Sequence, residues 1–198
     1  MLARKPKAPA TYADLEALPA NMVGQIVFGV LHAHPRPAPR HGVAATSLAD
    51  EIVSPFQKRR GGPGGWLFSM EPELHLGPHI VVPDIAGWRR ERLPRLPDTA
   101  YIEAHPDWVC EVLSPSTARL DRTDKLAIYA EFKVGHCWLV DPDALTLEVF
   151  ELRDGRWTLH STYKEAELVA APPFSAHSFA LDVLWPDEQT SDERPSDH

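Results

Sequence analysis

The stretch DWVCEVLSPSTARLDRTDKLAIYAEFKVGHCWLVD, residues 107–141, decides the fold. Trp108 to Leu113 is short, apolar apart from one residue and β-favouring, and Ser114-Pro115 closes it, so it predicts a buried strand. Glu111 stands in its middle. The residues after the turn predict a helix: at 100° per residue, Ala118, Asp121, Lys125, Ile128, Tyr129 and Phe132 share one stripe. Ile128, Tyr129 and Phe132 want a core, so Asp121 and Lys125 point inward with them. A second apolar strand, ending at Asp141, completes a strand–helix–strand unit. Buried carboxylates and ammoniums are costly unless paired or given a task. Two such anomalies in one unit mark a site.

Working outward, the chain of 198 residues has a hydrophobic content of 43% and a charged content of 24%, ordinary for a folded globular protein. No apolar run reaches the length of a membrane span, and Met1–Lys5 lacks the apolar stretch of a signal peptide. The expectation is a cytoplasmic protein. Cys110 and Cys137 fall in predicted strands and fit no zinc spacing, so they read as small core residues in a reducing compartment. The net charge of −8 excludes a protein that coats nucleic acid non-specifically. The charge is uneven: residues 36–95 hold nine basic and six acidic side chains, a local +3, which leaves −11 for the remainder. A nucleic-acid face would use Lys58, Arg59, Arg60, Arg89, Arg90, Arg92 and Arg95; a solvated surface is the equal alternative.

Residues 1–10 and the acidic stretch 186–198 are expected to be disordered tails around one domain at 11–185. Tyr12 to Leu18 predicts a short helix, and Gly24 to His32 a hairpin turning at Gly29. His32 and His34 could hold a metal on one strand face, but exposed histidines beside prolines are the plainer reading. From His41 a helix is expected to bury Val43, Leu48, Ile52 and Val53 and to end or bend at Pro55. The basic, Gly-rich 58–65 loop lacks the ending of a phosphate-binding P-loop. Three strands follow, at 66–70, 73–76 and 80–88, the last interrupted by Pro83-Asp84. Asp154-Gly155 between alternating runs is a strong hairpin signal.

With Asp84 at one strand end, Glu111 in a neighbouring strand and Lys125 arriving from the helix, two readings stay open. One is a buried Glu111–Lys125 ion pair. The other is a hard-cation site: two carboxylates and a backbone carbonyl such as that of Val112 can hold Mg²⁺, which usually keeps several waters. The ion would acidify a water and neutralise charge on a phosphate, with Lys125 positioning the attacking water.

VPD at 82–84, WVCEVLSPST at 108–117, Asp121-x-x-x-Lys125, Tyr129 and HCWLVDP ending at Pro142 resemble the Uma-type restriction-endonuclease family of the PD-(D/E)xK nuclease superfamily. The resemblance spans about residues 11–185. It implies an α/β (α+β) restriction-endonuclease-like core, a mixed central β-sheet flanked by helices, working on DNA as a homodimer with Mg²⁺ or Mn²⁺. Carried over by position, Asp84 and Glu111 become metal ligands with the Val112 carbonyl, and Lys125 the catalytic lysine. The wider superfamily puts that lysine two residues after the acid, where this chain has Leu113. Asp121 would hold Lys125 in place, and His41 matches the family's helix-opening histidine. Gln25 stands where the family has a glutamate, a loss of charge expected to weaken a second metal position or lower the rate.

Three functions are therefore weighed: a Mg²⁺-dependent DNA endonuclease, a catalytically weakened nuclease-fold module binding DNA or protein, and a carboxylate-pair sugar hydrolase with Trp66, Trp88, Trp108 and Trp138 as a platform.

Overall fold

The 107–141 unit forms the centre of the larger of two main sheets. A computed structural model describes residues 8–35 and 38–186; the expected tails lie almost wholly outside them. The first sheet runs in the order β2-β1-β5-β4, from β1 (Met22–Val27), β2 (Val30–Pro35), β4 (Leu74–Leu76) and β5 (His79–Val81). The second runs β10-β9-β8-β7-β6-β3, from β3 (Trp66–Met70), β6 (Ile85–Arg89), β7 (Trp108–Val112), β8 (His136–Asp141), β9 (Thr146–Arg153) and β10 (Arg156–Lys164). All pairings in the two sheets are antiparallel except β7 with β8. A parallel pair needs a crossover, and residues 118–131 supply it. This crossover helix is α3 (Ala118–Leu120), a π-helical turn at Asp121–Lys125 and α4 (Leu126–Glu131).

Strand alternation separates two cores. Trp108, Cys110 and Val112 of β7, with Trp138 and Val140 of β8, face Leu48, Ile52 and Phe56 of helix α2 (Pro39–Phe56). Trp66, Phe68, Trp108 and Trp138 all pack their rings on Phe174, with centroids 5.0–5.6 Å apart. The opposite face presents Val109 of β7, Leu113 just beyond it, and Cys137 and Leu139 of β8 to Ile128 and Tyr129 of the crossover helix. Each fully buried side chain of this size contributes about 1.5–3 kcal/mol.

Several expectations change. The predicted 80–88 strand is two strands in different sheets: β5 ends at Val81, and Val82-Pro83-Asp84 carries the chain across to β6. Proline lacks the N–H that would continue a ladder, so the crossing falls there. Val43 is exposed rather than buried. Helix α2 begins at Pro39, whose missing N–H suits the first turn, and retains Pro55 in its last turn. The first helix, α1 (Tyr12–Glu16), ends two residues before the expected Leu18. Ala10, assigned to a tail, donates its N–H to the Gly29 carbonyl at 2.8 Å. All four tryptophans of the suggested sugar platform are 4% exposed or less, so they form core and no platform exists.

Gly87 marks the tightest point between the sheet and the aromatic core. A Cβ there would sit 2.8 Å from Phe68 Cε1 and 3.2 Å from Trp108 Cε3, inside normal contact. Gly87→Ala is expected to lower stability by about 1–3 kcal/mol, as overpacking does. Urea denaturation checks this, and an unchanged midpoint would refute it.

Candidate active site

The crossing, β7 and the crossover helix bring their polar residues into one pocket, whose lining includes Gln25, His34, His41, Asp84, Glu111, Asp121 and Lys125. Asp84 leaves the crossing just before β6, and its Oδ2 accepts the Val112 N–H at 2.7 Å. Its Oδ1 lies 3.1 Å from His41 Nε2, on the first turn of α2. Burial opposes a charge on His41, but the hydrogen bond and charge of Asp84, helped by a hydrogen bond to the Val112 backbone, raise its pKa above the ordinary value. His41 thus stands on Asp84, one of the groups expected to hold the ion.

Glu111 takes its place on β7 between Val109 and Leu113, on the face turned to the crossover helix. Its Oε2 accepts from Lys125 Nζ at 2.7 Å, and its Oε1 from the Tyr129 hydroxyl. Lys125 also reaches Asp121 Oδ1 at 3.1 Å and the Val82 carbonyl at 3.2 Å. Thus Asp121 holds Lys125 from one turn back, and the lysine joins the crossing to β7. Both ends of the ion pair belong to the π-helical turn, a distortion that recurs at functional sites.

Charge in this pocket does not balance. Asp84, Glu111 and Asp121 oppose the single ammonium of Lys125, and Glu111, Asp121 and Lys125 are each 2% exposed or less. Burial pushes the Glu111 carboxyl up to about 8, against the pull of Lys125. Burial would lower Lys125, yet Asp121 and Glu111 together raise it. With every carboxyl ionised the acids outnumber the ammonium, and a proton on Glu111 or a bound cation would relieve that.

The donor set suits a hard divalent ion. Each oxygen of Asp84 and Glu111 has one protein donor and keeps a second lone pair. Oxygen-only donors favour Mg²⁺ or Mn²⁺ over softer metals. Among the described residues no three His, Cys, Asp or Glu side chains form a group able to hold a metal ion. Backbone carbonyl and water would have to complete the shell, as is usual for Mg²⁺.

The basic residues are not brought here. Arg89 ends β6 while Asp84 precedes its start, about 16 Å away at strand rise. Lys58, Arg59 and Arg60 follow the C-terminal end of α2, and His41 lies near its start. The two basic loops instead meet each other: the Arg90 N–H bonds the Gly65 carbonyl at 2.9 Å, Arg90 Nε bonds the Trp66 carbonyl at 3.2 Å, and the Arg89 guanidinium lies over the Trp66 ring. Arg92 is spent on Asp107 at 2.6 Å.

Gln25 is in the pocket and 1% exposed. His34 is there too, although its sequence setting suggested only a surface residue; the β1–β2 register, Gln25 opposite His32, puts His34 diagonally across from Gln25. The Tyr129 contact with Glu111 follows from the helical stripe that already carried Tyr129.

A mixed sheet with a buried acid on its parallel central strand, a second acid one strand over and a lysine from the crossover helix define a restriction-endonuclease-like nuclease fold. The chain belongs to the family described as "Uma2: Putative restriction endonuclease", whose model matches residues 10–184. A solved structure titled as that of a "putative nuclease belonging to DUF820", from Anabaena variabilis, superposes with a TM-score of 0.71 over 89% of this chain and 97% of its own, at 23% identity. At that identity the likeness is one of fold. No curated protein matches the chain. Among the described residues, no helix is long and apolar enough to cross a membrane.

Proposed function

We propose that this chain is a Mg²⁺- or Mn²⁺-dependent endonuclease that hydrolyses DNA phosphodiester bonds. The observation that carries the reading is the gathering of three carboxyl groups, Asp84, Glu111 and Asp121, around the single ammonium of Lys125 in one pocket. Asp84, Glu111 and the Val112 carbonyl would hold the ion. When bound, it would supply Lewis-acid stabilisation of charge on the phosphate and make water more acidic. Lys125, fixed by Asp121, Glu111 and Val82, directs its ammonium toward the attacking water and the non-bridging oxygens. Tyr129 holds Glu111 in its orientation, and His41 holds Asp84. The gathered Lys58–Arg60 and Arg89–Arg90 loops contact the duplex away from the cut. A homodimer in the cytoplasm, one site per copy, fits cleavage of both strands.

The test is nicking of supercoiled plasmid. Cleavage with Mn²⁺ or Mg²⁺, abolished by excess chelator, is the expected result. No cleavage and no Mn²⁺ binding would defeat the proposal. One observation favours the alternative, a nuclease-fold module that binds DNA or protein without cutting: both candidate ligands already have protein donors on every oxygen.

A further inference from the structure

Gln25 has a place of its own in this pocket, and its two amide atoms do different things. Its Oε1 accepts the Val82 N–H at 2.9 Å. That fixes the amide plane and turns Nε2 toward His34 Nε2, 3.5 Å away. On the other side of the imidazole, His34 Nδ1 lies 3.1 Å from the Pro35 carbonyl, which can only accept. The partners therefore assign the tautomer: the proton is on Nδ1, and the Nε2 lone pair faces the amide. Each residue dictates the state of its partner. A flipped amide would set two lone pairs against each other and leave the Val82 N–H facing a donor.

Both backbone polar groups of Val82 are held, its N–H by Gln25 and its carbonyl by Lys125. Two residues on is Asp84. The amide therefore braces the segment that carries one candidate ligand and anchors the lysine.

We infer that His34 is a positioning residue of this site: acting through Gln25, it locks the Val82–Asp84 crossing in the geometry that presents Asp84 and Lys125. A carboxylate in place of Gln25 could keep the Val82 bond only by facing His34 with a second acceptor, so His34 would have to take up a proton on Nε2. The neutral amide–imidazole pair and a carboxylate–imidazolium pair have the same net charge. On this reading glutamine at 25 leaves the pocket's charge balance as a glutamate would. The inference rests on the nuclease reading only for what the brace serves; the brace itself is tested without it.

Ring nitrogen NMR of the metal-free chain should place the native His34 proton on Nδ1, with Nε2 facing the Gln25 amide unprotonated, and Gln25→Glu should add a proton on Nε2. Mn²⁺ titration should give Gln25→Glu an affinity within about twofold of native, while His34→Ala, a change that reaches Asp84 only through Gln25 and Val82, weakens binding measurably, by less than the roughly tenfold that a partner bonded to the ligand itself is worth. A native proton on Nε2, or a neutral His34 in Gln25→Glu, would overturn the inference. So would Mn²⁺ binding tightened tenfold by Gln25→Glu alone. If Mn²⁺ binds no variant, the nuclease reading fails, and the ring states still decide the brace.

Discussion

Lys125→Met is expected to abolish cleavage and to lower stability by about 3–5 kcal/mol, the penalty for leaving buried charge without its partner. Lys125 is 2% exposed and stands between Glu111 and Asp121, so methionine fills its volume and strands both carboxylates. The two losses separate in a triple variant. Adding Glu111→Gln and Asp121→Asn removes the stranded charges, and stability should largely return while cleavage stays absent. Urea denaturation and plasmid nicking on the same samples report both. A Lys125→Met protein as stable as the native chain would show that this ion pair is not structural. One that still cuts would remove the lysine from the mechanism.

Glu111→Gln is expected to eliminate Mn²⁺ binding, by at least about a hundredfold given that even outer-sphere partners are worth ten- to a hundredfold. The same variant has a signature in pH. Burial raises the Glu111 carboxyl from its ordinary 4.5 to about 8. The folded chain then holds that proton more tightly than the unfolded chain, so the contribution to stability is complete below 4.5 and is lost as pH climbs through 8. Native stability should decline across that interval more steeply than that of Glu111→Gln, which has no proton to lose. Parallel stability curves for the two proteins would refute this origin of the slope. Asp84→Asn should share the loss of Mn²⁺ binding.

The central unit was legible because its physics is local. An acid inside an apolar strand and two charges on an apolar helical stripe are visible without any partner, and the structure pairs them as that stripe requires, Glu111 and Asp121 on Lys125. What stayed hidden depends on contacts distant in sequence. The apolar run from Ile80 to Trp88 reads as one strand; nothing in its pattern says that its halves join different sheets. The role of His34 needs the hairpin register and the position of Val82, 57 residues from Gln25. The basic loops could be counted but not placed, because their distance from Asp84 is set by the length of β6 and α2 and not by composition. The π-helical turn has no periodic signature at all over five residues.

The crossing at Val82-Pro83-Asp84 also bears on how such a protein comes into being on the ribosome. One acid is delivered by a segment whose other end is woven into the first sheet, the second acid belongs to the second sheet, and the lysine to the helix that crosses over it. Gln25 to Val82, Lys125 to Val82 and Asp84 to Val112 all join residues at least 28 apart, contacts of the kind that form late. A nascent or misfolded chain with either sheet alone has the residues of the candidate site and not the site. Completion of the fold is itself the safety catch.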